Sequence, residues 1–277
     1  MPQIEQIMEE LADKKLFTKF DIRSGYHNVQ IKEEDCWKAA FKTPFGLYHP
    51  NIMLFGLCNS PATFQRLTNR VLTPVQAKYP GVVHGYMDKY LIATHDNPTF
   101  HEEVVRAVLE QMLQEDLYLK LAKCEFLKPA IEYLGIFIID GTIRIDPTKH
   151  SGLATWPRQL SSIMQVWSML SILGYQWPFI RNFTYIAKPL TNLLKKGVPF
   201  KWTQKCMNAL DTLISIITSN PVLHCPDHDK QFELEVDTSQ YVLGAILYQW
   251  DTNGKQCPVA YHSKTLNEAE CGYDIHD

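Results

Sequence analysis

The sequence predicts an α+β protein laid out as three consecutive segments. Three observations carry the prediction. Residues 1–146 mix apolar residues at strand and helix spacing, and residues 147–220 read as helices punctuated by Pro147, Pro157, Pro178, Pro189 and Pro199. From about residue 221 the pattern returns to strands and hairpins. The 277 residues suffice for two domains or one large one, with at least one substantial core.

In the first segment, Ile4, Ile7, Met8 and Leu11 predict an amphipathic helix over residues 3–13. Leu16 to Ile22 alternates as a strand, with Thr18, Phe20 and Ile22 on one face and Phe17, Lys19 and Asp21 on the other. That parity lets Asp21 face a cleft. A turn at Gly25, an apolar–polar stretch from His27 to Ile31 and an aromatic-rich run from Trp37 to Tyr48 follow. Ser60-Pro61 reads as a helix start, Ser60 as N-cap, with Phe64, Leu67 and Val71 as the buried stripe. Thr99 and Glu102 have capping-box spacing before a helix that buries Val105, Val108, Leu109 and Met112. Ile131 to Ile145, broken by Asp140-Gly141, reads as a hairpin.

In the second segment, Cys206, Leu210, Leu213 and Ile217 define a helix capped by Thr203 and ended by Asn220-Pro221. In the third, Phe232, Leu234 and Val236 alternate with Glu233, Glu235 and Asp237, and Leu243–Tyr248 and Val259–Ser263 are further strands.

Composition narrows the class. Hydrophobic residues make up 45% and charged residues 21%, and no apolar run reaches the ~18 residues of a membrane span. The N-terminus has neither the basic start nor the apolar run of a secretory signal. Seven cysteines without CxxC spacing suggest reduced thiols in an intracellular protein, and zinc is not expected. A net charge of −3 gives no overall nucleic-acid signature, so any basic groove must be local. Lys120, Lys123 and Lys128 form one cluster, and Lys188, Lys195, Lys196, Lys201 and Lys205 another. Each is either such a groove or a solvated helix face.

The chemistry-bearing residues are acids far apart in sequence. Gly85-Tyr86-Met87-Asp88-Lys89-Tyr90-Leu91-Ile92 is a strand–turn–strand with an acid at its tip, and Asp21 ends a strand. Such a pair can meet at one point and hold magnesium, which prefers oxygen ligands. Phe20-Asp21-Ile22-Arg23-Ser24-Gly25-Tyr26-His27, Leu54-Phe55-Gly56-Leu57-Cys58-Asn59-Ser60-Pro61-Ala62-Thr63-Phe64-Gln65 and Tyr86-Met87-Asp88 occur in the order seen in reverse transcriptases. The whole chain resembles the Pol polyprotein of gypsy-type LTR retrotransposons, least so over residues 150–178. Glu125-Phe126-Leu127 through Glu132-Tyr133-Leu134-Gly135 looks like the primer-gripping hairpin. Ile180-Arg181-Asn182-Phe183, Ala187-Lys188-Pro189-Leu190 and Phe200-Lys201-Trp202 look like the thumb-connection. Asp237-Thr238-Ser239, Leu243-Gly244-Ala245 and Pro258 to Lys264 look like the start of the ribonuclease H-like domain.

The resemblance implies a palm with an antiparallel sheet and helices on one face over 1–146, with a fingers remnant and the primer-grip-like hairpin. It implies a helical thumb-connection over 147–220 and a partial ribonuclease H-like α/β domain over 221–277. Asp21 and Asp88 would bind catalytic Mg2+, and Asp237 would be the first ligand of an incomplete ribonuclease H-like site. Tyr26 would pack on the incoming sugar, or be a core tyrosine; Phe55 and Gly56 would lie under the nucleotide. Gln65 would touch the template or face solvent, and Leu134 and Gly135 would meet the primer end. The implied partners are an RNA or DNA template-primer and an RNA–DNA hybrid, with no membrane and the oligomeric state open. His27, His84, His95 and His101 match no catalytic role.

The chain departs from the family at four places. Lys89 replaces a carboxylate, changing that position from −1 to +1. At ~5 Å from a divalent ion and an effective dielectric of ~20, the formal penalty is on the order of 10 kcal/mol. Basic fingers residues that precede the first helix in the family are expected to be missing, and Lys14, Lys15 and Lys19 are poor substitutes. The helix bearing the next ribonuclease H glutamate would follow Asp277, so ribonuclease H cleavage is not expected. Gln176-Trp177-Pro178 replaces basic and aromatic residues. The expected function is a reverse transcriptase-derived protein of weak or absent activity. The alternative is a non-catalytic nucleic-acid- or protein-binding module.

Overall fold

The computed structural model describes residues 10–11, 13–146, 152–153, 155–174, 176–219, 221–239, 242–267 and 270–272. The helix expected over residues 3–13 falls largely outside them. The chain divides into two compact units, residues 1–133 and 134–277.

The first unit contains β1 (Leu16–Asp21), β2 (Phe41–Thr43), β3 (Gly46–Tyr48), α1 (Ser60–Lys78), β4 (Val83–Tyr86), β5 (Lys89–Thr94), α2 (Pro98–Gln114), β6 (Glu125–Lys128) and β7 (Ala130–Tyr133). Its main sheet is antiparallel in the order β4-β5-β1-β6, while β2 and β3 form a separate ribbon. β1 is central and buried along its length from Phe17 on. Phe20 and Ile22 of β1, Tyr90 and Ile92 of β5 and Val83 of β4 form one core with Phe64, Val71, Leu72 and Val75 of α1 and Val104, Val108 and Met112 of α2. Both helices therefore cover one face of the sheet, as the predicted fold class requires. Burying such side chains stabilises by roughly 1.5–3 kcal/mol each, which sets the sheet against the helices.

Both expected helix starts shift. Ser60 is the first helical residue and Asn59 the cap position, and the Ser60 hydroxyl donates to Leu54 O at 3.0 Å. Asn97, not Thr99, caps α2, its Oδ1 accepting from Phe100 N at 3.1 Å. Pro98 is the reason: it has no N–H to satisfy and a φ suited to the first helical position. The buried stripe of α2 is His101, Val104, Val108 and Met112, with Val105 and Leu109 only half-buried.

The second unit contains β8 (Ile136–Ile139), β9 (Thr142–Ile145), α3 (Ile163–Gly174), α4 (Phe183–Asn192), α5 (Gln204–Thr218), β10 (Val222–His224), β11 (Glu233–Thr238), β12 (Val242–Trp250) and β13 (Gln256–Thr265). Asp140 (φ 44°) and Gly141 (φ 66°) make the two-residue turn between β8 and β9, and β10 pairs with β9. The helix expected from Cys206, Leu210, Leu213 and Ile217 is α5, with all four buried. Thr203 occupies its cap position, but its hydroxyl meets Cys206 Sγ at 3.3 Å rather than a backbone N–H. β11, β12 and β13 form an antiparallel sheet. The alternation of β11 does not mark a buried face: all six residues are exposed, Leu234 and Val236 included.

Candidate active site

β4 and β5 form a tight hairpin, with Tyr86 opposite Lys89 and Met87-Asp88 as the turn. Asp21 is the last residue of β1 and lies directly across from Lys89 on β5. Cross-strand partners share a face, so the carboxylate and the ammonium are neighbours by construction. Lys89 Nζ donates to Asp21 Oδ2 at 3.4 Å, and Lys123 Nζ lies 4.0 Å from the same oxygen. The Asp21 side chain is 9% exposed, that of Lys89 36%. Asp21 therefore faces an ion-paired interior rather than an open cleft. Ile22 N donates to Asp88 O at 2.8 Å, which ties the hairpin tip to the end of β1.

A second charged rung adjoins the first. Lys19, two residues before Asp21 on the same face, meets Glu125 Oε1 at 2.6 Å, Glu132 Oε2 at 3.2 Å and Glu132 O at 2.8 Å. Burial alone would depress the Lys19 ammonium, but hydrogen bonds to Glu125 and Glu132 outweigh it and hold its pKa above the usual value. Tyr133 donates to Lys89 O at 3.3 Å. Its phenol is pushed up by burial, with the Tyr86 and Asp88 charges adding to the push.

This donor set does not fit a divalent cation. Asp21 and Asp88 supply two negative charges, and Lys89 and Lys123 two positive ones close to Asp21. Magnesium sites are built from oxygen ligands, not ammonium groups.

The turn itself is held from α1. Met87 has a left-handed backbone, φ 52°, which costs an L-residue about 1–2 kcal/mol. Gln65 Oε1 accepts Met87 N–H at 2.8 Å, and Thr68 Oγ1 donates to Met87 O at 2.7 Å. Gln65 Nε2 donates to Gly85 O and to Asn69 Oδ1, both at 2.9 Å. Gln65 is 3% exposed, so it does not face solvent, and its amide is engaged with the hairpin instead of an open template surface. Thr68 and Lys123 are site residues that sequence reasoning missed. Thr68 was signalled by its position one helical turn after Gln65; Lys123 stood out in the sequence only as one of the Lys120, Lys123 and Lys128 cluster, with nothing to place it beside Asp21.

The residues expected around the nucleotide divide. Tyr26 is half-buried, its ring centroid 4.9 Å from that of Phe55 and 5.5 Å from that of Phe64. Phe55 is 72% exposed, and Gly56 (φ 95°) has open space at its Cα. Leu134 (φ 50°) and Gly135 (φ 84°) form a left-handed turn that belongs to the second unit. Asp237 is exposed on β11 opposite Gly244, beside a cavity of about 260 Å³ lined by Asn182, Tyr185, Ser239 and Val242. His101 is buried between Thr18 Oγ1 and Thr94 Oγ1, at 2.7 Å from each. Burial lowers the pKa of His84 to about 4, the Lys14 ammonium adding to the shift.

Residues 1–138 match the family described as reverse transcriptase (RNA-dependent DNA polymerase). Residues 202–277 match the RNase H-like domain found in reverse transcriptase. The chain is 35% identical over 275 residues to the retrovirus-related Pol polyprotein from transposon 297 of Drosophila melanogaster, covering 99% of this chain and 25% of that protein. It is 30% identical over 277 residues to the transposon Tf2-7 polyprotein of Schizosaccharomyces pombe, covering all of this chain and 20% of that one. The chain thus spans a quarter or less of the length of these two relatives. In structure it is similar to a foamy viral protease-reverse transcriptase solved in complex with RNA/DNA hybrid, with TM-score 0.81 and 20% identity over 98% of this chain and 36% of that one. Among the described residues no helix is long and apolar enough to cross a membrane. The chain belongs to the reverse transcriptase family over residues 1–138 and to its RNase H-like family over residues 202–277, as a relative of the Pol polyproteins of transposons.

Proposed function

We propose that this chain is a reverse transcriptase palm whose nucleotidyl-transfer site is closed by an internal ion pair, so that polymerisation is weak or absent. The carrying observation is Lys89 Nζ at 3.4 Å from Asp21 Oδ2. Two-metal transfer needs carboxylates free to take divalent cations. Here the charge of Asp21 is met by Lys89, with Lys123 beside it. In this reading Asp21 and Asp88 are the inherited catalytic carboxylates. Tyr26, Phe55 and Gly56 form the inherited nucleotide floor, and Leu134 and Gly135 the primer-end turn. Asp237 is the inherited first carboxylate of the RNase H-like site.

The test is primer extension on an RNA template with Mg2+, with template-primer binding followed by fluorescence anisotropy on the same samples. Wild type should extend near background. Lys89→Asp should gain on the order of a hundredfold, the equivalent of about 3 kcal/mol in the barrier, and adding Asp21→Asn should remove the gain. Robust extension by wild type that Asp21→Asn abolishes would overturn the reading.

One observation favours binding without catalysis as a second reading. Trp37, Phe45 and Phe55 are 68%, 88% and 72% exposed. Lys38 and Lys42 lie between Trp37 and Phe45 in sequence. Exposed rings beside basic groups suit base stacking. Salt-dependent binding to an RNA–DNA hybrid is expected, and absence of binding at low salt removes this reading.

A further inference from the structure

A hairpin tip of two residues is ordinarily the most mobile part of a sheet, yet this one carries a left-handed methionine. Both peptide groups of Met87 are bonded to α1, the N–H to Gln65 Oε1 and the carbonyl to Thr68 Oγ1. The orientation of the Gln65 amide is set by its partners, since Nε2 must face the carbonyl of Gly85 and Oε1 the N–H of Met87. Residues 65 and 68 are one turn apart on the same helix face, so a rigid element presents acceptor and donor at a fixed separation. Thr68 is 1% exposed, and Gly85 lies so close that a Cβ there would meet Thr68 Cγ2 at 2.6 Å. The Tyr26 hydroxyl reaches Met87 Sδ at 3.9 Å.

We propose that Gln65 and Thr68 are positioning residues for the hairpin tip: their clamp on Met87, not a bound cation, fixes Asp88 and Lys89 beside the end of β1. The requirement at residue 65 is an acceptor and a donor on one planar group. Glutamine meets it, and so does an un-ionised carboxylic acid. An ionised carboxylate keeps the bond from Met87 N–H but sets a negative oxygen against the Gly85 carbonyl. The clamp is independent of whether polymerase activity survives.

The test is amide hydrogen exchange at Met87, expressed as protection relative to the unfolded chain, with Ile92 in the same sheet as internal reference. In wild type, protection at Met87 should be unchanged between EDTA and Mg2+ and between pH 5 and pH 8. Gln65→Glu should lose about tenfold at Met87 at pH 8, because the missing bond to Gly85 O and the repulsion that replaces it loosen the tip, and regain it at pH 5. Gln65→Met should lose it at both pH values. Thr68→Val, which keeps the shape of the side chain and removes its donor, should lose protection at the tip while Ile92 is held. It keeps the proposal testable if Gln65→Met fails to fold. Unchanged Met87 protection in Thr68→Val and Gln65→Met overturns the proposal. So does an equal loss at Met87 and Ile92 in every variant, which would mean a structural role only, and so does a tip that gains protection on adding Mg2+.

Discussion

The ion pair at the end of β1 can be weighed by a double-mutant cycle on Asp21→Asn and Lys89→Met. Lys89 Nζ stands 3.4 Å from Asp21 Oδ2, and at an effective dielectric of ~20 the gross attraction is about 5 kcal/mol. Most of that is cancelled by desolvation and screening. A fully exposed pair couples by only about 0.2–1 kcal/mol, whereas breaking a fully buried one costs about 3–5 kcal/mol. Asp21 belongs to the buried regime at 9% exposure and Lys89, at 36%, does not. The expected coupling therefore falls between the limits, at about 1–2 kcal/mol, and shrinks with added salt because water reaches the lysine. Lys123, 4.0 Å away and 56% exposed, remains to compensate Asp21 in the Lys89→Met variant and keeps that single cost modest. The assay is urea-dependent exchange of the β1 and β5 amides, which reports on the first unit alone. A coupling below ~0.5 kcal/mol lies within the additivity expected of independent sites and would refute the reasoning.

Two further outcomes follow from the same unit. Gly85→Ala should destabilise it by about 1–3 kcal/mol through overpacking, because the new Cβ meets Leu72 Cδ1 and Thr68 Cγ2; urea unfolding checks this. His101, held between two threonine hydroxyls, has its pKa lowered from 6.5 by burial. Its neutral form is favoured in the folded state, so its contribution is complete above pH 6.5 and is lost as pH falls through the folded pKa. His101→Gln should flatten the fall in stability between pH 7 and pH 5, as read from urea midpoints, and an unchanged slope would assign the fall to other groups.

What could be read from the sequence was local. The strand of Asp21, the hairpin at Asp88 and the Asp140-Gly141 turn all rest on period-2 alternation and turn chemistry within ten residues. The caps of α1 and α2 moved by one or two residues because proline is compatible with more than one position in a first turn. The burial of Gln65 was hidden, since a polar residue beside Phe64 on an amphipathic helix reads as the edge of the solvent face. Only the fold brings the peptide groups of Gly85 and Met87 opposite it. Lys123 was visible as part of a basic cluster, but its contact with Asp21 was hidden for the same reason, because it joins residues that share no local pattern. The alternation of Leu234 and Val236 predicted a strand correctly, but alternation alone says nothing about what covers a face.

The two charged rungs of this sheet face differ in sign. Lys89 and Lys123 stand against Asp21 on one, and Lys19 against Glu125 and Glu132 on the other, by contacts of 4.0 Å or less. A site that holds a divalent ion needs a surplus of negative charge before the ion arrives. Among the described residues, Asp21 has lysines within 4.0 Å and Asp88 is paired to none. A substitution of Lys89 by aspartate does more than remove a competitor: it moves the local sum by two units and leaves Asp21, Asp88 and the new acid facing Lys123 alone. That surplus is what a magnesium ion would neutralise. The Lys123→Met change moves the sum by one unit and leaves Lys89 on Asp21, so it should recover far less. The order of divalent-ion affinity, wild type below Lys123→Met below Lys89→Asp, separates a site closed by charge from one lost through geometry. In the second case all three would bind equally poorly, because neither substitution moves the backbone that Gln65 and Thr68 hold.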